Sequence, residues 1–239
     1  MKFTLSHQND PGLFVEPDIT SNFRAIDSIN FSLASEISPA VIDPNNLNEI
    51  QIKRENPEFF FDYIFEKQND DGSYSDIGGL GNIESTYYAI KTISLANETY
   101  LEEKIDNNET LQIVNYLRLV LNRGGYGFKA IPLINNSDII STFAAIDSAY
   151  RLGAGIILLN NNISKFINST WSGDGYKLSN DSLFQTPETC YFGINAFISM
   201  NMSHTIIEKI ALEGYFNSLY NPLDGGFASA TGQPSDIQS

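Results

Sequence analysis

The sequence predicts an all-α protein of tandem helical hairpins, each with an inner and an outer helix, and three observations carry that prediction. Glycine turns recur along the 239 residues at nearly constant spacing. A short signature of small polar, aromatic and aliphatic residues follows the first four turns. The segments between them alternate between mostly apolar and amphipathic, as pairs of one buried and one half-buried helix require.

The turns read NDPGLF around Gly12, DDGSY around Gly72, RGGYGF around Gly125, SGDGYK around Gly175 and DGGFAS around Gly226. Their glycines stand 60, 53, 50 and 51 residues apart, which leaves room for two helices per interval and exceeds most helical-hairpin solenoid repeats. Glycine supplies backbone with positive φ at such reversals, and a preceding Asp or Asn bonds nearby amides. Gln68 stands where its side-chain amide would cap the preceding helix. Asp70 and Asp71 also have the chemistry of cation ligands, but hard cations need several convergent oxygens and the other turns lack the pair. The turns therefore read as scaffolding.

A loop separates each turn from its signature: TSNFRAI, ESTYYAI, ISTFAAI and ETCYFGI, with a fifth copy ending at DIQS. Its Ser and Thr oxygens are expected to accept the unpaired N–H groups of a first helical turn, with the aromatic, Ala and Ile positions packing on neighbours. Inner helices are thus expected near 21–35, 83–96, 139–152 and 188–201. Outer helices are expected in the amphipathic stretches NPEFFFDYIFEKQ, NETLQIVNYLRLVL, AGIILLNNNISKFINS and HTIIEKIALEGYFNSLY.

Composition narrows the partners. With 42% hydrophobic residues the chain can bury a sizeable core. A net charge of -15 repels phosphate polymers and anionic lipid, which argues against nucleic acid. The amino-terminal MKFTLSHQND lacks the apolar run of a secretory signal, and no apolar stretch of about 18 residues is present to span a bilayer. Cys190 is the single cysteine, which excludes an internal disulfide framework and suits a reducing compartment, so the expected location is cytoplasmic. Asn-x-Ser/Thr triplets at Asn97 and Asn168 read as chance in an Asn-rich chain.

The turn YIFEKQNDDGSY, Tyr63 to Tyr74, resembles the Gln-Trp repeat of squalene and oxidosqualene cyclases, with Tyr74 in place of the tryptophan. Gly72 to Tyr88 and Gly226 to Ser239 resemble more closely the turn and inner-helix start of protein prenyltransferase beta subunits. The resemblance covers essentially the whole chain and implies one domain, 1–239, with the α/α toroid fold of that superfamily. A closed toroid of the family has more helix pairs than the four counted here, so the ring is expected to be incomplete and to need a helical partner subunit or further carboxy-terminal repeats. The Asp-x-Asp-Asp acid of the cyclases is absent, and NDDGSYSD lacks the spacing of a diphosphate-ionising aspartate cluster.

Protein prenylation needs other parts: Zn²⁺ to bind and deprotonate the acceptor cysteine, cations for the diphosphate and an aromatic cavity for the isoprenoid. PETCYFG, Pro187 to Gly193, resembles the family's Asp-x-Cys-Tyr, which implies Glu188 and Cys190 as zinc ligands and Tyr191 as the aromatic that follows them. The family's histidine ligand would fall at Ser239, and of the two histidines, His7 and His204, the second lies where an outer helix begins. Against this, Glu84-Ser85-Thr86 occupies the same repeat position with no metal role, and the residues alone favour Cys190 as a small core side chain. Lys177, with Lys129, is the candidate for the diphosphate. Phe23, Tyr87, Tyr88, Phe143, Tyr191 and Phe192 are candidates to line an apolar cavity, or else to fill the core between helices. Two functions follow: a prenyltransferase beta-like enzyme moving an isoprenoid from its diphosphate to a protein cysteine, or a catalytically inert toroid binding an apolar ligand or a protein partner.

Overall fold

The computed structural model describes residues 64–75, 79–96, 105, 107–122, 124, 126–155, 161–222 and 226–229. The turn at Gly12, the helix expected at 21–35 with Phe23, His7, Gly125 and Ser239 lie outside them. Among the described residues the protein is all-α but for one short hairpin. The helices are α1 Ile83–Ala96, α2 Asn107–Val120, α3 Ile139–Arg151, α4 Asn161–Ser169, α5 Pro187–Ser199 and α6 Ile206–Leu219. β1 Tyr220–Asn221 pairs antiparallel with β2 Gly226–Phe227, Tyr220 opposite Phe227. The chain divides into two compact units, Met1–Tyr116 and Leu117–Ser239, with α2 crossing the division.

In the first unit the chain reverses between Asn69 and Ser73, whose backbones meet at 2.8 Å, and Tyr74 then bridges Gln68 on one side and Asn82 on the other. Gly72 has φ +86°, and a Cβ there would stand 2.3 Å from the Gln112 backbone, so conformation and space both demand glycine. Asp71 serves the turn itself by accepting the Ser73 N–H at 3.0 Å. Gln68 departs from expectation. Its backbone N–H closes on the Phe65 carbonyl at 3.1 Å, while its side-chain nitrogen is buried with no partner among the described residues. In α1, Ile83, Ser85, Thr86, Tyr87, Tyr88, Ala89, Ile90, Thr92 and Ile93 are all buried, as expected of an inner helix. The carboxy-terminal half of α2 within this unit turns Ile113, Val114 and Tyr116 inward, and the Tyr116 hydroxyl donates to the Gly81 carbonyl at 3.2 Å.

In the second unit α5 packs along α3 and touches α4. Nine of the thirteen residues of α3 are buried, whereas α6 buries only Leu212, Tyr215 and Leu219, the contrast expected of inner and outer helices. The turn between α4 and α5 differs from that at Gly72. Here Gly173 takes the positive φ, and Gly175 is glycine because a Cβ would stand 2.7 Å from the Cys190 sulfur.

The caps correct one expectation. The Ser and Thr of the signature are not the N-cap residues, although Thr189 completes a capping box by accepting the Thr186 N–H at 2.8 Å. Asn82 accepts the Ser85 N–H at 2.7 Å, Asp138 accepts the Ser141 N–H at 2.7 Å, and Thr186 accepts the Thr189 N–H at 3.1 Å. The capping residue stands four positions before the signature's Thr or Cys that follows, which frees that side chain for another contact.

Candidate functional site

That contact recurs in three consecutive repeats. The backbone N–H of Tyr74 donates to Thr86 Oγ1 at 3.0 Å, that of Phe128 to Thr142 Oγ1 at 3.0 Å, and that of Tyr176 to Cys190 Sγ at 3.3 Å. Each bond ties the residue after a turn to the first turns of the next inner helix. The three aromatic residues are buried, so their N–H groups have no water to turn to. A small side chain with a lone pair meets that need, and oxygen or sulfur serves.

Cys190 lies at the centre of this arrangement in the second unit. It is fully buried and packs with Tyr215 and Leu219 of α6. Burial pushes its thiol up from the ordinary value; the Tyr176 N–H opposes this, and the charge of Asp174 adds to it. The protonated thiol is therefore favoured, with its sulfur engaged by the Tyr176 N–H and enclosed by Tyr215 and Leu219. Glu188, two residues earlier on α5, is exposed to solvent. Among the described residues no three His, Cys, Asp or Glu side chains gather as a metal-ion cluster. Glu188 and Cys190 as arranged fit a zinc ion poorly.

The aromatic candidates separate by unit. Tyr87 and Tyr88 in the first are both buried, their rings 4.9 Å apart, with the Lys91 ammonium 5.3 Å from the Tyr87 ring centre. In the second, Phe143 of α3 meets Phe192 of α5 at 5.6 Å, and Phe192 meets Tyr191 edge-on at 5.2 Å. Phe143 and Phe192 are buried, while Tyr191 is 53% exposed, so the run begins in solvent and ends in the core. Lys177 is half-buried and its Nζ reaches the Asn180 carbonyl at 3.4 Å; Lys129, at the matching place one repeat earlier, reaches the Pro132 carbonyl at 2.9 Å. Both cations hold their own loops.

His204 was placed by sequence at the start of an outer helix and stands directly before Thr205, the cap of α6. Its burial had no such signal. The ring stacks on Phe197 at 4.3 Å, lies 5.5 Å from Trp171, and its Nε2 is 3.2 Å from the Tyr176 hydroxyl. Nδ1 is buried without a hydrogen bond among the described residues, and the Glu208 carboxylate is 3.9 Å away.

No family model matches the sequence, and no curated protein matches it by sequence. Among solved structures, the chain is similar to Candida albicans protein geranylgeranyltransferase-I complexed with GGPP, with 19% identity and a TM-score of 0.52. The match takes in 85% of this chain and 54% of that one, so this chain spans about half its length. The likeness establishes a prenyltransferase-like, all-α toroid fold. No helix among the described residues is long and apolar enough to cross a membrane.

Proposed function

We propose that this chain is a prenyltransferase beta-subunit-like protein that holds an isoprenoid chain against the aromatic side chains of its inner helices and takes part in its transfer from diphosphate to a protein cysteine. The observation that carries this reading is the shared fold with an enzyme whose structure holds GGPP. Tyr191, Phe192 and Phe143 offer that chain an apolar path from solvent toward the core. Lys177, in the loop that leads to α5, would meet the diphosphate after releasing the Asn180 carbonyl. A helical partner subunit belongs to the same reading. Zinc would supply the activated acceptor thiolate, and Glu188 with Cys190 are its candidate ligands by resemblance alone. As arranged, with Cys190 buried and Glu188 in solvent, that pair fits the ion poorly.

The second reading is an inert toroid that binds an apolar ligand or a protein partner, in which Cys190 Sγ serves only to accept the Tyr176 N–H. One experiment separates the two. Purified protein is given GGPP and a cysteine peptide, with the Cys190→Ser variant in parallel and metal content measured for both. Transfer that the variant loses, with stoichiometric zinc in the wild type, supports the enzyme; GGPP binding without transfer, equal in both proteins, supports the inert toroid.

A further inference from the structure

We infer that the loops leading into α3 and α5 form a docking rim for an electrically neutral lipid surface. Two successive loops hold large apolar side chains in solvent. Leu133 is 72% exposed in the first, and Leu183 and Phe184 are 92% and 70% exposed in the second. These loops lie side by side: the Ile139 N–H at the start of α3 donates to the Leu178 carbonyl at 2.8 Å, and Phe143 meets Phe192 within the first two turns of α3 and α5. The amino-terminal ends of both helices, and the loops that feed them, therefore share one end of the second unit.

Charge selects the occupant. Residues 131–137 carry no charged side chain and 178–185 only Asp181, in a chain of net charge -15. Lys129 and Lys177 are turned onto carbonyls of their own loops. A nearly uncharged apolar rim on an acidic protein matches zwitterionic headgroups, whereas the rest of the chain repels anionic ones. Shape points the same way. The exposed side chains sit on irregular loops rather than in the regular ridges that a partner helix packs into, and a lipid surface needs no ridges.

The rim precedes the aromatic run closely in sequence. Phe184 stands two residues before Thr186, the cap of α5, and Tyr191 follows in the first turns of that helix. On the isoprenoid reading, on which only the purpose of docking rests, an apolar chain dissolved in a bilayer would reach Tyr191 and Phe192 without crossing water.

Flotation of the full chain with phosphatidylcholine vesicles free of isoprenoid tests the inference. The wild type should float with the vesicles, and the binding should persist in about 0.5 M salt because no exposed charge carries it. Leu183→Asp with Phe184→Asp should lower partitioning by about tenfold or more, with helical content by circular dichroism unchanged. Ile207→Asp, at an equally exposed position on α6, should not. The inference is overturned if the wild type stays unbound, if Ile207→Asp weakens binding as much, or if the loop variants act only by abolishing self-association seen without vesicles. GGPP binding measured without vesicles keeps the two readings apart: vesicle binding without GGPP binding removes the isoprenoid reading alone, and the reverse removes the rim alone.

Discussion

The Cys190 thiol receives the backbone N–H of Tyr176 at 3.3 Å, the place that hydroxyl oxygens hold in the two preceding repeats. The sulfur is thus an acceptor with a structural duty. Cys190→Ser keeps an acceptor, and its hydroxyl can donate back to the Thr186 carbonyl as Thr86 does to Asn82 at 2.7 Å. We expect it to change stability by less than about 1 kcal/mol, whereas Cys190→Ala strands a buried N–H and costs about 1–3 kcal/mol. Urea denaturation of the two variants decides; equal losses would deny the hydrogen bond its role.

The same burial governs reactivity. With no exposed surface and a thiol held above its ordinary value, Cys190 should react with a thiol reagent only when the protein opens. Labelling rates should track urea concentration through the unfolding transition. Rapid labelling of the native protein would place the sulfur in solvent and contradict the packing against Tyr215 and Leu219.

Gly72 and Gly175 are glycine for different reasons, and alanine at each should show it. At Gly72 a methyl group meets the rigid Gln112 backbone and the φ of +86° is retained against it, so a loss above about 2 kcal/mol is expected. At Gly175 the nearest atoms are the Cys190 sulfur and the Gln185 side chain, 2.7 and 2.9 Å away. The flexible Gln185 can yield, so the loss should be smaller. The reverse order in thermal denaturation would mean that turn conformation matters less than helix packing.

His204 makes stability depend on pH. Burial lowers its pKa below the ordinary 6.5, opposed by Glu208 and reinforced by Lys209. The unfolded chain therefore binds its proton first, so the stability is complete above about pH 6.5 and is lost as the pH falls from there through the lower folded value. Glu208 contributes the same sign in a more acid window, below 4.5, because its bonds to Thr205 lower its own pKa. Among the described residues, the ring feels the charges of Glu208 and Lys209 and lies against the Tyr176 hydroxyl. His204→Phe should remove the slope that sets in as the pH falls below about 6.5 and leave the acid limb. An unchanged slope would assign it elsewhere.

Much of this fold was legible because the repeat is local and periodic. α1 was expected at 83–96 and found there, and the bounds of α3 and α5 lie within two residues of expectation. The site was less legible for a physical reason. The bond from Tyr176 to Cys190 joins residues fourteen apart through a loop, and no periodicity reports it. The caps were missed because Asn82, Asp138 and Thr186 are three residue types at the ends of loops of unequal length. Cys190 was read two ways from PETCY, and its neighbours add weight to the structural one.

Whether the aromatic run is wall or filling is decided by comparing its two ends. Phe192 is buried against Phe143, so Phe192→Ala leaves a cavity that should cost about 3–5 kcal/mol in urea denaturation, whatever the protein binds. Tyr191 is 53% exposed and touches Phe192 only edge-on, so Tyr191→Ala should stay within about 0.5 kcal/mol of the wild type. If an isoprenoid chain enters along this run, the same variant should weaken GGPP binding by about tenfold, since an aromatic face is then lost from the path at its mouth. Calorimetric titration supplies the second number. Binding that survives Tyr191→Ala undiminished would place the ligand elsewhere and reduce the run to core packing, because no stability change would be present to mask the result.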